Sequence, residues 1–210
     1  MRRSANFSEC RGYRYSLWRD WSGKPEVEFE PYVAFIGLNP STADETVDDP
    51  TIRRCIGFAR SWGFGRLVML NLFAIRATDP RNMLAAREPI GPRNDEVIRN
   101  LTPRAALLIA AWGTKGAHLS RDRDVARITM RALACLGVTK GGHPRHPLYV
   151  RGDTKPEPFS FENDRMAEAL RESNTMLEQA VADSYDDDED KAIIHGQVAR
   201  NRAALEEGRT

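Results

Sequence analysis

Cysteine is scarce in this chain. Cys10, Cys55 and Cys135 lie far apart and form no CxxC pair. That argues against a zinc site, an iron–sulfur cluster or a disulfide framework, and it suits a reducing cytosol. Neither a metal nor another cofactor is expected. Long apolar runs are also missing: no stretch reaches the roughly 18 residues that a membrane-spanning helix needs. The segment from Met1 to Cys10 has no apolar run after its two arginines, so it does not read as a secretory signal. A cytoplasmic location without membrane association is the expectation. There is no internal repeat, and the oligomeric state is left open. With a formal net charge of +1, the overall charge selects no partner.

What is present is an ordinary globular balance over 210 residues, with 41% apolar and 29% charged. That length suffices for a domain with a real hydrophobic core. Charge is uneven along the chain. Asp183 to Thr210 holds eight acidic and four basic residues, a net of −4, leaving +5 on Met1 to Ala182. The pattern divides the chain into one α/β domain over residues 1–182 and an acidic tail over 183–210, expected to be solvated.

Short apolar runs alternate with helical patterns. Tyr13, Tyr15 and Leu17 interleave with Arg14 and Ser16 as a half-buried strand. A turn at Trp21-Ser22-Gly23 leads to Val27 and Phe29 as its partner, an N-terminal β-hairpin. Val33 to Leu38, Leu67 to Leu70 and Ala105 to Trp112 read as strands buried on both faces. Val138 to Lys140 reads as the start of a fourth. Asp49-Pro50 is a helix N-cap with proline in the first turn, and the helix runs on to Gly63 with Arg53, Arg54 and Arg60 on its solvated side. Further helices are expected around Val97 to Leu101, over Val125 to Leu136 and over Phe161 to Val181. Ala192 to Leu205 has the pattern of a short final helix.

This order predicts a three-layer α/β/α fold with a short, mainly parallel four-stranded sheet. In such sheets ligands bind beyond the carboxyl ends of the strands. Asn39, Asn71 and the His143/His146 loop close three strands at that edge.

At these strand ends the sequence resembles the uracil-DNA glycosylase superfamily. Gly37-Leu38-Asn39-Pro40 is similar to its water-activating loop. Leu67 to Asn71 is similar to the strand whose terminal asparagine reads the base. Leu107 to Gly113 is similar to the strand ending in Trp-Gly, and His143 to Tyr149 to the loop carrying the catalytic histidine and a DNA-inserting leucine. The wider pattern, including Tyr13-Arg14-Tyr15, Asn39 to Asp44, Asp49 to Arg53 and His146 to Tyr149, resembles an uncharacterised bacterial and phage family, domain of unknown function 1643.

The resemblance implies a uracil-DNA-glycosylase-like fold and a hydrolase that flips a modified or deaminated base out of DNA and excises it. Asn39 would hold the attacking water and His146 would stabilise the departing base. Asn71, with Gly37 and Pro40 beside Asn39, would form the base site. Leu148, Tyr149, Arg76 and His143 would contact DNA. Asn39 stands where the most active uracil enzymes carry aspartate, which implies slow or specialised chemistry. Two His-Pro pairs compete for the catalytic position, and Leu148-Tyr149 directly after the second favours His146.

Each residue also has a plainer reading. Asn39 before proline suits an Asx turn, Asn71 suits buried backbone, Trp112 suits the core, and the helix arginines suit solvent. Two other functions remain open: a non-catalytic nucleobase or nucleotide-binding module, and an enzyme that modifies a base without releasing it.

Overall fold

A computed structural model describes residues 1–25, 31–161, 170, 172–179 and 195–203. It divides into two compact units, Met1–Phe159 and Ser160–Thr210.

Among the described residues of the first unit seven strands form one sheet: β1 (Arg2–Phe7), β2 (Arg14–Asp20), β3 (Tyr32–Gly37), β4 (Arg66–Asn71), β5 (Leu107–Ala110), β6 (Leu133–Cys135) and β7 (Glu157–Phe159). Their spatial order is β1-β2-β4-β3-β5-β6-β7. The expected four-stranded sheet is therefore too small. β4, β3, β5 and β6 run parallel, and β1 with β2 on one edge and β7 on the other add antiparallel strands. The chain steps from β3 to β4 on one side, then passes back to β5 on the other. The reversal opens a crevice between the carboxyl ends of β3 and β5, where a parallel sheet accommodates a ligand.

Helices α1 (Pro50–Ser61), α2 (Pro80–Leu84), α3 (Asn94–Leu101) and α4 (Arg121–Thr129) connect the strands. Asp49 caps α1 as its sequence predicts, accepting from Ile52 N at 2.8 Å. Ile52, Cys55, Phe58 and Ala59 of α1 pack into one cluster with Leu17, Val33, Phe35, Leu67, Met69 and Ile109 from the sheet. The alternate residues Ala34, Ile36, Val68, Leu70, Leu108 and Ala110 are equally buried. Side chains alternate across a strand, so both faces of the central strands are covered. Burying a side chain as large as Phe35 or Phe58 contributes about 1.5–3 kcal/mol.

Three further expectations are corrected. The hairpin partner of β2 is β1, paired from Arg2↔Asp20 to Asn6↔Ser16. β1 is a polar, mostly exposed edge strand, so it carries no apolar alternation to read. Val27 and Phe29 lie outside the described residues. The helix expected over Val125 to Leu136 ends at Thr129, because Met130 takes a left-handed conformation (φ 49°), and its last residues form β6 instead. A short apolar run suits either a helix or a strand. Val138 makes a single bridge to Pro144 rather than a fourth strand.

In the second unit residues 172–179 and 195–203 are helical. They share a buried amide contact, Asn201 Nδ2 donating to Asn174 Oδ1 at 2.8 Å. The rest of the helix expected over Phe161 to Val181, and the acidic run from Asp183, fall largely outside the described residues. Among the described residues no helix is long and apolar enough to cross a membrane, and no three His, Cys, Asp or Glu side chains group as a metal site.

Candidate functional site

A cavity of about 600 Å³ opens at the carboxyl ends of β3, β4 and β5. That size accommodates a small molecule or one nucleotide. Asn39, Asn71 and His146 all line it, as do Gly37, Leu148 and Tyr149. Three of the expected residues lie elsewhere. Pro40 is buried within its own loop, its carbonyl accepting from Ala77 N at 2.9 Å. Arg76 stacks over the Phe7 ring at 5.1 Å and donates to Arg11 O. His143 closes a tight turn in which its carbonyl accepts from Thr139 N at 2.8 Å. Of the two His-Pro pairs, the second faces the cavity.

Asn71 ends β4 directly beside Gly37 of β3. The residue is 2% exposed, and Nδ2 has no hydrogen-bond partner. A Cβ at Gly37 would sit 3.0 Å from Asn71 Oδ1 and 3.5 Å from Met69 Sδ, so glycine there makes room for the amide. The backbone of Asn71 is held from behind. Asn94 Nδ2 donates to the carbonyls of Asn71 and Leu72, each at 3.0 Å, and Arg121 Nε donates to Leu72 O at 2.8 Å. Those bonds satisfy the backbone but leave the Asn71 amide nitrogen aimed at nothing. A buried, unpaired amide costs roughly 1–3 kcal/mol, and such a group in a cavity wall is what a ligand would complete.

Asn39 is fixed differently. Its Nδ2 donates to Ala77 O at 2.8 Å and Pro40 O at 3.0 Å. Leu72 N donates to Gly37 O, and Phe73 N to Leu38 O, each at 2.9 Å. The segments that follow β3 and β4 therefore hold each other, which sets Asn39 relative to Asn71. With its amide hydrogens spent on carbonyls, Asn39 offers a ligand or water its Oδ1, an acceptor. An Asx turn would use Oδ1 as acceptor of a following backbone N–H; here it is Nδ2 that is engaged, as a donor to carbonyls, and the side chain reaches the cavity.

His146 begins the short 3₁₀ turn Pro147–Tyr149, where its Nδ1 accepts from Leu148 N at 3.4 Å. Nδ1 as acceptor puts the proton of the neutral ring on Nε2. Burial lowers the His146 pKa below its ordinary 6.5, against a smaller raising pull from Asp49, so the ring is neutral at pH 7. The loop is anchored to α1. Arg54 donates through Nε to Pro147 O at 3.4 Å and through Nη2 to Val150 O, and its guanidinium lies over Phe58. Arg54 therefore belongs to the loop, not to the solvated helix face.

Arg14, Asp49, Lys115 and Arg145 also line the cavity; sequence reasoning singled out none of them as site residues. Asp49 carried a signal, but of its structural role as N-cap. Arg14 alternates inside a strand and looks like an ordinary outward residue. Trp112 is 1% exposed and packs edge-on against Phe159, with Gly116 pressed against its indole, so it is packed as core, although it also contributes to the cavity wall.

No curated protein and no solved structure is found to be similar to the chain. A family model described as "Protein of unknown function (DUF1643)" matches residues 14–148. That span covers well over half of the sequence and nearly every element around the cavity, and the chain belongs to this family.

Proposed function

We propose that the cavity receives a nucleobase turned out of DNA and hydrolyses its N-glycosidic bond, on a fold of the uracil-DNA-glycosylase type. One observation carries this reading: the buried Asn71 amide has an unpartnered nitrogen in the same cavity wall as neutral His146 and Asn39. A side-chain amide offers one donor and one acceptor on a single edge, which matches the imide edge of a pyrimidine.

The chemistry follows from the protonation states. The C1′–N bond breaks with its electron pair leaving on the base, so negative charge builds on the base carbonyls. His146 Nε2–H, a neutral donor fixed before reaction, stabilises that charge without transferring a proton. Asn39 Oδ1 accepts a hydrogen bond from the water that adds to C1′. An amide is a poor base, which implies a slow reaction. Among the described residues lining the cavity Asp49 is the one carboxylate, which makes it the candidate acceptor for the proton that this water gives up. Leu148, 42% exposed, and Tyr149, 80% exposed, stand at the rim, where apolar groups can fill the gap left by a flipped base.

The same tied amide of Asn39 also suits a module that binds a base without releasing it. Release of free base from modified oligonucleotides separates the two readings. Binding without release favours the module, and release lost in His146→Ala favours the hydrolase.

A further inference from the structure

Three arginines in the first unit are almost fully buried: Arg19 at 0%, Arg14 at 2% and Arg121 at 2% exposed. Two are neutralised. Arg19 Nε meets Asp48 at 2.6 Å, with Nη2 donating to Asp44 O at 2.6 Å. Arg121 pairs with Asp95. Arg14 is different. Its Nη1 donates to Ala43 O at 2.7 Å, its Nε is buried without a partner, and among the described residues no carboxylate forms an ion pair with it. A buried cation without a counter-charge is strongly disfavoured, and this one lines the cavity.

We propose that Arg14 is the anion subsite of this cavity and binds the phosphate group of the nucleotide whose base the cavity receives. This builds on the nucleobase reading of the same cavity for the base, and on Arg14 for the phosphate. The surroundings suit a phosphate. Lys115 and Arg145 bring two more cations to the lining against the one carboxylate of Asp49, whose Oδ1 already holds Ile52 N. Ser41 and Thr51 add hydroxyl donors. Arg19 and Arg76 press further positive charge on Arg14, and burial together with that repulsion pushes its pKa down to about 10, against a raising pull from Asp49. Arg14 is nonetheless charged at pH 7. An arriving phosphate would take the free guanidinium N–H groups as charge-assisted donors.

The test is calorimetric titration of the full chain with deoxynucleoside monophosphates (uracil, thymine, cytosine, adenine and guanine), each matched with its nucleoside, and with inorganic phosphate. We expect at least one monophosphate to bind roughly 10–100-fold more tightly than its nucleoside, the usual worth of hydrogen bonds to a charged group. That preference should collapse in Arg14→Gln and survive in part in Arg14→Lys. The wild-type comparison stands by itself should Arg14→Gln fail to fold. A short uracil-bearing oligonucleotide, titrated alongside, tells an internal phosphodiester from a free phosphomonoester as the source. Equal affinity for nucleotide and nucleoside overturns the subsite and leaves base recognition standing. Equal binding of all bases and of phosphate alone supports the subsite and removes the nucleobase reading. No binding by any of these ligands overturns both.

Discussion

Asn71 and His146 depend on small neighbours and local burial, and each dependence can be measured. In Gly37→Ala the new methyl would stand 3.0 Å from Asn71 Oδ1, so the amide must move. Overpacking of this kind costs about 1–3 kcal/mol. The denaturant midpoint should fall accordingly, and base release should be lost. A variant unchanged in both would show that Gly37 does not set the position of Asn71. For His146 the sign follows from burial. Its pKa is lower in the folded chain than the ordinary 6.5, so between those two values the unfolded chain holds more protons. Its contribution to stability is therefore full above about pH 6.5 and is lost as pH falls through the lowered folded value. Melting temperatures across that window should decline with acid in the wild type and less steeply in His146→Gln. Parallel curves for the two proteins would place the acid sensitivity elsewhere.

At the scale of elements, α1 serves the site twice. Its first turn brings Asp49 and Thr51 to the cavity, and its middle holds the His146 loop through Arg54. Arg54→Ala should cost about 1–3 kcal/mol, as for hydrogen bonds from a charged donor. It should also raise amide exchange across residues 147–150 while the strands stay protected. Exchange that rises evenly over the sheet would mean Arg54 supports the core rather than the loop. The buried strands were legible because Tyr32–Gly37, Arg66–Asn71 and Leu107–Ala110 are apolar runs ended by polar or glycine residues. The cap at Asp49 was legible from one dipeptide. β1 and β6 were not. The first is polar because it lies on an edge, and the second is only three residues long and follows a helix with the same apolar content. Asn39 and Asn71 could be chosen because they follow or end buried strands, and His146 because of its His-Pro loop, although a single bridge at Val138 stands where a strand was expected before it. Arg14 could not, because its importance lies in lacking a partner, and a sequence does not display missing partners.

For the whole molecule, the sheet lies within Met1–Phe159, and the net charge of +5 lies on Met1 to Ala182 against −4 beyond it. If that body grips a DNA backbone, affinity for a uracil-bearing oligonucleotide should fall steeply between low and moderate salt through counterion release. A flat dependence would point to a free small molecule as the ligand. The central claim is that Asn71, His146 and Asn39 form one base-excising site, and it is tested most directly by single-turnover release of free base. The substrates are oligonucleotides bearing uracil, 5-hydroxymethyluracil, hypoxanthine or alkylated bases. The account predicts release of at least one of them by the wild type, a rate lower by roughly 10²–10³-fold in His146→Ala, and a near wild-type rate in His143→Ala. No release from any substrate, or a release rate that His146→Ala leaves unchanged, would contradict it.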